Sequence, residues 1–215
     1  GTGSTLLMWL GTATGYVTKW YDQSGNNYHA VQATTTAQPT ITSGKITYNG
    51  TTQYLAIPYN AALNTSQFTY IFTCLTNTST STYQSPVSNR YIVGATIGGW
   101  IWYKYPNNTT PANEFQSFAN TSTALTAVDT TVAAALNTKY KISAQYNGTS
   151  LNNVVNGTTS TGTMTYATNT AYQLRIGAGF NEGAANYFWF GDVNDFMLFN
   201  TSISTTDRDA ILTAL

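Results

Sequence analysis

Lys19-Trp20-Tyr21-Asp22-Gln23-Ser24-Gly25-Asn26-Asn27-Tyr28-His29-Ala30-Val31-Gln32 joins two kinds of local structure. From Tyr16 to Tyr21 the residues alternate in the period of a β-strand. In Asp22-Gln23-Ser24-Gly25-Asn26-Asn27 short polar side chains can bond their own backbone, and Gly25 can take a positive φ. The stretch reads as a strand running into a tight, self-capped turn.

Outward from this turn the same grammar repeats. Pro39-Thr40-Ile41 restarts extended chain, and Ile46 to Pro58 predicts a hairpin around Asn49-Gly50. Gln67 to Leu75 sets Phe68, Tyr70, Phe72 and Cys74 on one face and Thr69, Ile71 and Thr73 on the other, the pattern of a core strand. Tyr91 to Tyr105 predicts two strands broken at Gly98-Gly99, Glu114 to Ala119 another, and Ala124 to Leu136 either a strand or a helical turn. Asn147-Gly148 and Asn156-Gly157 punctuate a meander that starts at Tyr140. Tyr172 to Gly179 and Tyr187 to Asn200 supply two more strands, the second with broken periodicity that predicts a bulge near Gly191-Asp192. Ser204, followed three residues later by Asp207, caps a short terminal helix through Ala210, Ile211 and Leu215. Leu6 to Leu10 fits a strand or a helical turn equally. Many short strands without helical periodicity specify an all-β antiparallel sandwich.

Composition narrows the function. The chain has 215 residues, 42% hydrophobic, enough for one core and a single domain over 1–215. Only 7% of residues are charged and the net charge is zero, so no basic patch draws nucleic acid or an acidic membrane. Thr, Asn, Ser and Gln must supply the polar surface, a skin suited to proteins that sit on particles, walls or fibres and meet sugars. Cys74 is the sole cysteine, which excludes an intrachain disulfide. No apolar run reaches membrane-spanning length and no signal peptide is evident. The start Gly1-Thr2-Gly3-Ser4 suggests a piece of a longer protein.

The Trp20-Tyr21-Asp22-Gln23-Ser24-Gly25-Asn26 signature, the Asn147-Gly148 and Val155-Asn156-Gly157 turns and the Ile203-Ser204-Thr205-Thr206-Asp207 closure together resemble laminin-G-like, concanavalin-A-like domains over roughly residues 15 to 215. The nearest variant is the catalytic domain of fungal arabinofuranosidases, with related domains in large viruses and phages. The resemblance implies a jelly-roll sandwich on a virion, fibre or cell surface, with glycans or cell-wall polysaccharide as partners. It also implies a rim calcium, to which Asp22 or Asp192 would contribute. No dedicated calcium loop and no zinc spacing is present; otherwise no cofactor is expected.

Three functions follow from the chemistry-bearing residues. Sugar binding needs aromatic faces with amides and hydroxyls around them. Trp100-Ile101-Trp102-Tyr103-Lys104-Tyr105 places Trp100 and Trp102 on one strand face and Tyr103 and Tyr105 on the other, followed by Pro106-Asn107-Asn108. If one face is core, the other is exposed and forms a glycan platform with Asn107. Alternatively these aromatics are subunit contacts, with copies of the chain or other particle and fibre subunits as partners. A glycosidase would need paired carboxylates; Glu182 with Asp192 or Asp195 is the pair left once turn and helix-start acids are set aside, and the local motifs of the arabinofuranosidases are missing around it. His29, the single histidine, has no nucleophile motif beside it. Sequons at Asn64, Asn77, Asn108 and Asn120 are glycosylation candidates, while Asn49, Asn147 and Asn156 are better explained as turn residues. The favoured reading is a non-catalytic carbohydrate-binding or attachment domain.

Overall fold

A computed structural model describes residues 10–77, 82–106, 114–120 and 125–215. Among them, antiparallel strands form two eight-stranded sheets. The first runs in the order β1 (Gly15–Tyr16), β4 (Thr40–Thr42), β5 (Lys45–Asn49), β20 (Phe190–Phe199), β7 (Phe68–Thr76), β14 (Lys139–Tyr146), β15 (Ser150–Val155), β16 (Thr158–Thr163). The second runs β13 (Leu125–Ala133), β12 (Glu114–Asn120), β11 (Trp100–Lys104), β8 (Val87–Ser88), β17 (Leu174–Ile176), β6 (Leu55–Ile57), β3 (Ala30–Val31), β2 (Lys19–Trp20). Two hairpins stand apart, β9 (Tyr91–Val93) with β10 (Thr96–Gly98) and β18 (Gly179–Asn181) with β19 (Ala184–Asn186). One helix, α1 (Thr205–Ala214), closes the chain. Only Leu10 of the early apolar run lies among the described residues.

The core is the aromatic space between the sheets. Phe68, Tyr70, Phe72 and Cys74 of β7 all point into it, as their alternation predicts. Tyr70 stacks on Trp100 with ring centroids 4.1 Å apart, and Phe72 meets the edge of Trp102 at 5.9 Å, spacings at which aromatic pairs add to simple area burial. The other face of β7 is buried as well, because residues 201–203 lie on it. The Thr69 hydroxyl donates to the Thr201 carbonyl at 3.0 Å and accepts the Ile203 N–H at 3.1 Å. The Ser204 hydroxyl then caps α1 by accepting the Asp207 N–H at 3.1 Å. Arg208 docks the helix on the first sheet, donating to the Asn152 side-chain oxygen at 2.6 Å.

Two expectations change and one open alternative is settled. The Asn49-Gly50 turn is not a hairpin: β5 belongs to the first sheet and β6 to the second. The Asn49 side-chain oxygen accepts the N–H groups of Thr51, Thr52 and Gln53 at 3.0, 3.0 and 3.1 Å, which winds the chain across the sandwich instead of straight back. The bulge of β20 falls at Asn194, between Val193 and Asp195, where the Asn194 side chain accepts the Ile46 N–H at 3.0 Å. Gly191 instead marks a close approach, since a Cβ there would lie 1.9 Å from the Leu75 carbonyl oxygen. Residues 125–133 are a strand, paired with β12.

Candidate functional site

The strand chosen from sequence for its aromatics, β11, lies within the second sheet between β12 and β8. Trp100 and Trp102 face inward and are 1% and 0% exposed. They offer no ring to a ligand, which corrects the expectation for these two residues: the larger aromatics are core because the opposing sheet supplies Tyr70 and Phe72. Lys104 shares their face, is buried, and its ammonium has no partner among the described residues; desolvation holds it below the usual lysine range.

The outer face of β11 carries Ile101, Tyr103 and, just past the strand, Tyr105. Tyr103 is buried and Tyr105 half-buried, in a cluster with exposed Tyr83 and half-buried Tyr187. Tyr83 meets Tyr105 edge-on at 4.9 Å and Tyr103 at 5.4 Å, and Tyr187 meets Tyr103 at 5.2 Å. Burial, and then the neighbouring Tyr83 and Asp129, push the Tyr105 hydroxyl up to about 12, so it is a neutral donor at physiological pH. Asn107 lies outside the described residues.

Sequence reasoning missed the two cations on this face. Ser88 pairs with both Ile101 and Arg175, so Arg175 stands on the same outer row, with Arg90 two residues past Ser88. Arg90 donates to the Tyr103 hydroxyl and lies 5.7 Å from that ring, while its Nε has no partner. Arg175 has neither Nε nor Nη1 partnered; its guanidinium lies 4.4 Å from the Phe180 ring of the β18–β19 hairpin. The two are 3% and 5% exposed. Among the described residues no carboxylate pairs with either, the recorded ion pair being Arg208 with Asp209. Desolvation lowers Arg175 to about 10. Buried cations without counter-ions are costly, and arginine is the side chain that grips carboxylates through a planar fork. An arginine inside an apolar Leu174-Arg175-Ile176 strand of so uncharged a chain was the available signal.

The acids form no catalytic pair of the expected kind. Glu182 is at an exposed turn, φ 46°, of the β18–β19 hairpin, which packs on the second sheet through Phe180 and Gly179 against Arg175 and Ile101. Asp192 and Asp195 sit on β20 in the first sheet, accepting from the hydroxyls of Thr47 at 2.7 Å and Thr73 at 2.5 Å. Sequence proximity misled here because the chain crosses between sheets after the hairpin. The two acids that do meet are Glu114 and Asp129, brought together by the irregular register of β12 and β13. Burial, then a hydrogen bond to Asp129, then its charge raise the Glu114 carboxyl.

Asp22 is a turn-former. Its carboxylate accepts the Ser24 N–H at 2.8 Å, the Ser24 hydroxyl at 2.8 Å and the Tyr28 N–H at 3.0 Å, which holds it below the usual range. No group of three or more His, Cys, Asp or Glu placed to hold a metal occurs among the described residues, and Asp22 and Asp192 are not brought to one site. Of the sequon residues, Asn64 donates through its amide to the Asn60 carbonyl at 2.8 Å, Asn77 is half-buried and Asn120 ends β12; Asn108 is outside the described residues. Asn147 and Asn156 are turn residues, Asn147 accepting the Thr149 and Ser150 N–H groups at 3.0 and 2.9 Å and Asn156 having φ 46°.

No family model and no curated protein matches the chain. Solved structures do. The CBM40 module of the Ruminococcus gnavus IT-sialidase superposes with TM-score 0.60 at 13% identity, covering 79% of this chain and 97% of that one. A SAP-like pentraxin from Limulus polyphemus gives 0.54 at 14% identity, with 78% and 81% covered. A Trypanosoma rangeli sialidase gives 0.66 at 13% identity over 92% of this chain, which spans only 31% of the sialidase. What the chain shares with these proteins is the fold, an antiparallel jelly-roll β-sandwich of the lectin type.

Proposed function

We propose that the chain is a non-catalytic carbohydrate-binding domain, displayed outside a cell or on a particle, and that its site is the outer face of the second sheet. The observation that carries this reading is the pair of buried guanidiniums, Arg90 and Arg175, standing without a carboxylate beside a cluster of four tyrosines. A carboxylate-bearing sugar answers both features. Its carboxylate takes the fork of Arg175 as the Phe180 ring moves aside, and its ring stacks on Tyr105 or Tyr83 while the tyrosine hydroxyls donate to its oxygens. The superposed Ruminococcus gnavus module was solved bound to α2,3- and α2,6-sialyllactose, glycans of this acidic class. Single-site affinity is weak for such a small contact, so multivalent display makes attachment firm.

The test presents the domain multivalently to immobilised sialyllactose and to lactose. Retention on the acidic glycan alone, lost in Arg175→Met and reduced in Tyr105→Ala, supports the reading. Equal retention on both glycans, or none by a folded domain, sinks it. Lys104→Met removes a different buried, unpaired cation and should leave retention intact, which separates loss of the site from a change in core electrostatics.

A further inference from the structure

β20 loses one of its two neighbours halfway along. β5 pairs with it only over Phe190–Asp192, and past the bulge at Asn194 the ladder from Asp195 to Phe199 is with β7 alone. In an antiparallel strand every second residue turns its N–H and C=O away from a given neighbour, and on this side none of them bonds another backbone among the described residues. Burial changes at the same point. β20 is buried from Gly191 through Val193 and half-buried from Asn194 to Phe199, although Phe72 and Tyr70 of β7, opposite Phe196 and Leu198, are 0% exposed. A cleft of about 820 Å³ runs along this edge and is lined by every residue from Asn194 to Asn200, those of both faces alike, as an open strand edge allows. Across it stand Trp20 and Tyr28 of the signature stretch and Ile57 of the second sheet. An open edge of this kind is a template for one more strand.

The chain itself carries a segment of the right chemistry. Leu6-Leu7-Met8-Trp9 is apolar at consecutive positions, so as a strand it shows apolar side chains to both faces. The open stretch of β20 does the same, with Phe196 and Leu198 inward and Met197 and Phe199 outward. The register brings the two close. Gly15 of β1 pairs with Ile41, Ile41 with Ile46, and Thr47 with Asp192, so β1 starts level with the bulge and the chain before it lies at the end of the sheet where β20 is open. Leu10 is at that end: a Cβ on Gly15 would lie 3.1 Å from its side chain. The position beside β20 is two strand spacings from β1, roughly 10 Å, and the open edge is roughly 14 Å long. Nine residues precede Leu10, and extended they span roughly 30 Å, enough for both distances. We propose that Leu6–Trp9 docks on Asp195–Phe199 as a further strand of the first sheet, antiparallel to β20 as β5 is, and covers the cleft.

The test uses the full chain. A nitroxide on Ser4→Cys, just ahead of the segment, should broaden the amides that line the cleft, those of Met197 to Asn200 foremost; Cys74 is buried and takes no label in the folded protein. Hydrogen exchange supplies a second readout. The outward amides of Asp195 to Phe199 should exchange at least about tenfold more slowly in the parent than in Leu7→Pro or Met8→Pro, since proline breaks a ladder, while exchange in β14 stays the same and shows that the domain is still folded. Broadening centred elsewhere or spread evenly, or edge amides that exchange equally in parent and variants, would overturn the proposal. So would broadening in a mixture of nitroxide-bearing chains with separate isotope-labelled chains, which assigns the added strand to a second copy.

Discussion

At the scale of single residues, the buried cations are the strongest statement this chain makes. A guanidinium without a counter-ion destabilises the free protein, and an apolar replacement of similar length relieves that cost. Arg175→Met should therefore raise the melting temperature, by about 1–3 kcal/mol in stability, while removing acidic-glycan retention; thermal denaturation checks the first half, and a fall in melting temperature would contradict it. Asp22 behaves oppositely. Its carboxyl is lowered in the folded protein, so the stability it contributes is present above the unfolded value of about 3.9 and disappears as pH falls through the folded value. Asp22→Ala should cost about 1 kcal/mol at neutral pH, modest because the group is largely solvated, and the gap to the parent should shrink in unfolding titrations near pH 3.

At the scale of elements, turn chemistry was legible from sequence wherever side chains bond their own backbone. The Asp22, Asn147 and Asn156 turns and the Ser204 cap all form as their residues predict. Strand partnership was not legible in the same way. Asn49-Gly50 carries the strongest hairpin signal, yet it is a corner between sheets, because tertiary packing chooses the partners of β5 and β6. Alternation in β11 likewise told which side chains share a face but not which face is inside, and the meeting of Glu114 with Asp129 depended on a register shift that periodicity does not encode. Two glycines separate local freedom from tertiary contact. Gly25 has φ 86° with nothing within 4 Å, and Gly191 leaves a Cβ 1.9 Å from the Leu75 carbonyl. Gly25→Ala should cost about 1–2 kcal/mol through its backbone alone. Gly191→Ala must push β20 from β7 and should cost more than twice as much; equal losses in chemical denaturation would refute that distinction.

For the molecule as a whole, stability rests on aromatic packing between two sheets with no disulfide. Cys74 is buried and desolvation pushes its thiol far up, so a thiol reagent should label it only on unfolding, and reducing agents should leave the melting temperature unchanged. On the outer face of the first sheet, residues 201–203 lie on β7 and α1 docks at β15, while β16 stays largely exposed. The outer face of the second sheet bears Arg90, Arg175 and the tyrosine cluster, with the β18–β19 hairpin packed against Arg175, and is the face proposed above for a glycan. The most direct measurement is a shift titration of the labelled domain with 3′-sialyllactose, with lactose as control. We expect the acidic glycan alone to move the amides of Ser88, Arg90, Tyr103, Arg175 and Phe180. Shifts confined to the first sheet or to the Asp22 turn, or no difference between the two sugars, would contradict a carboxylate-reading site on this face.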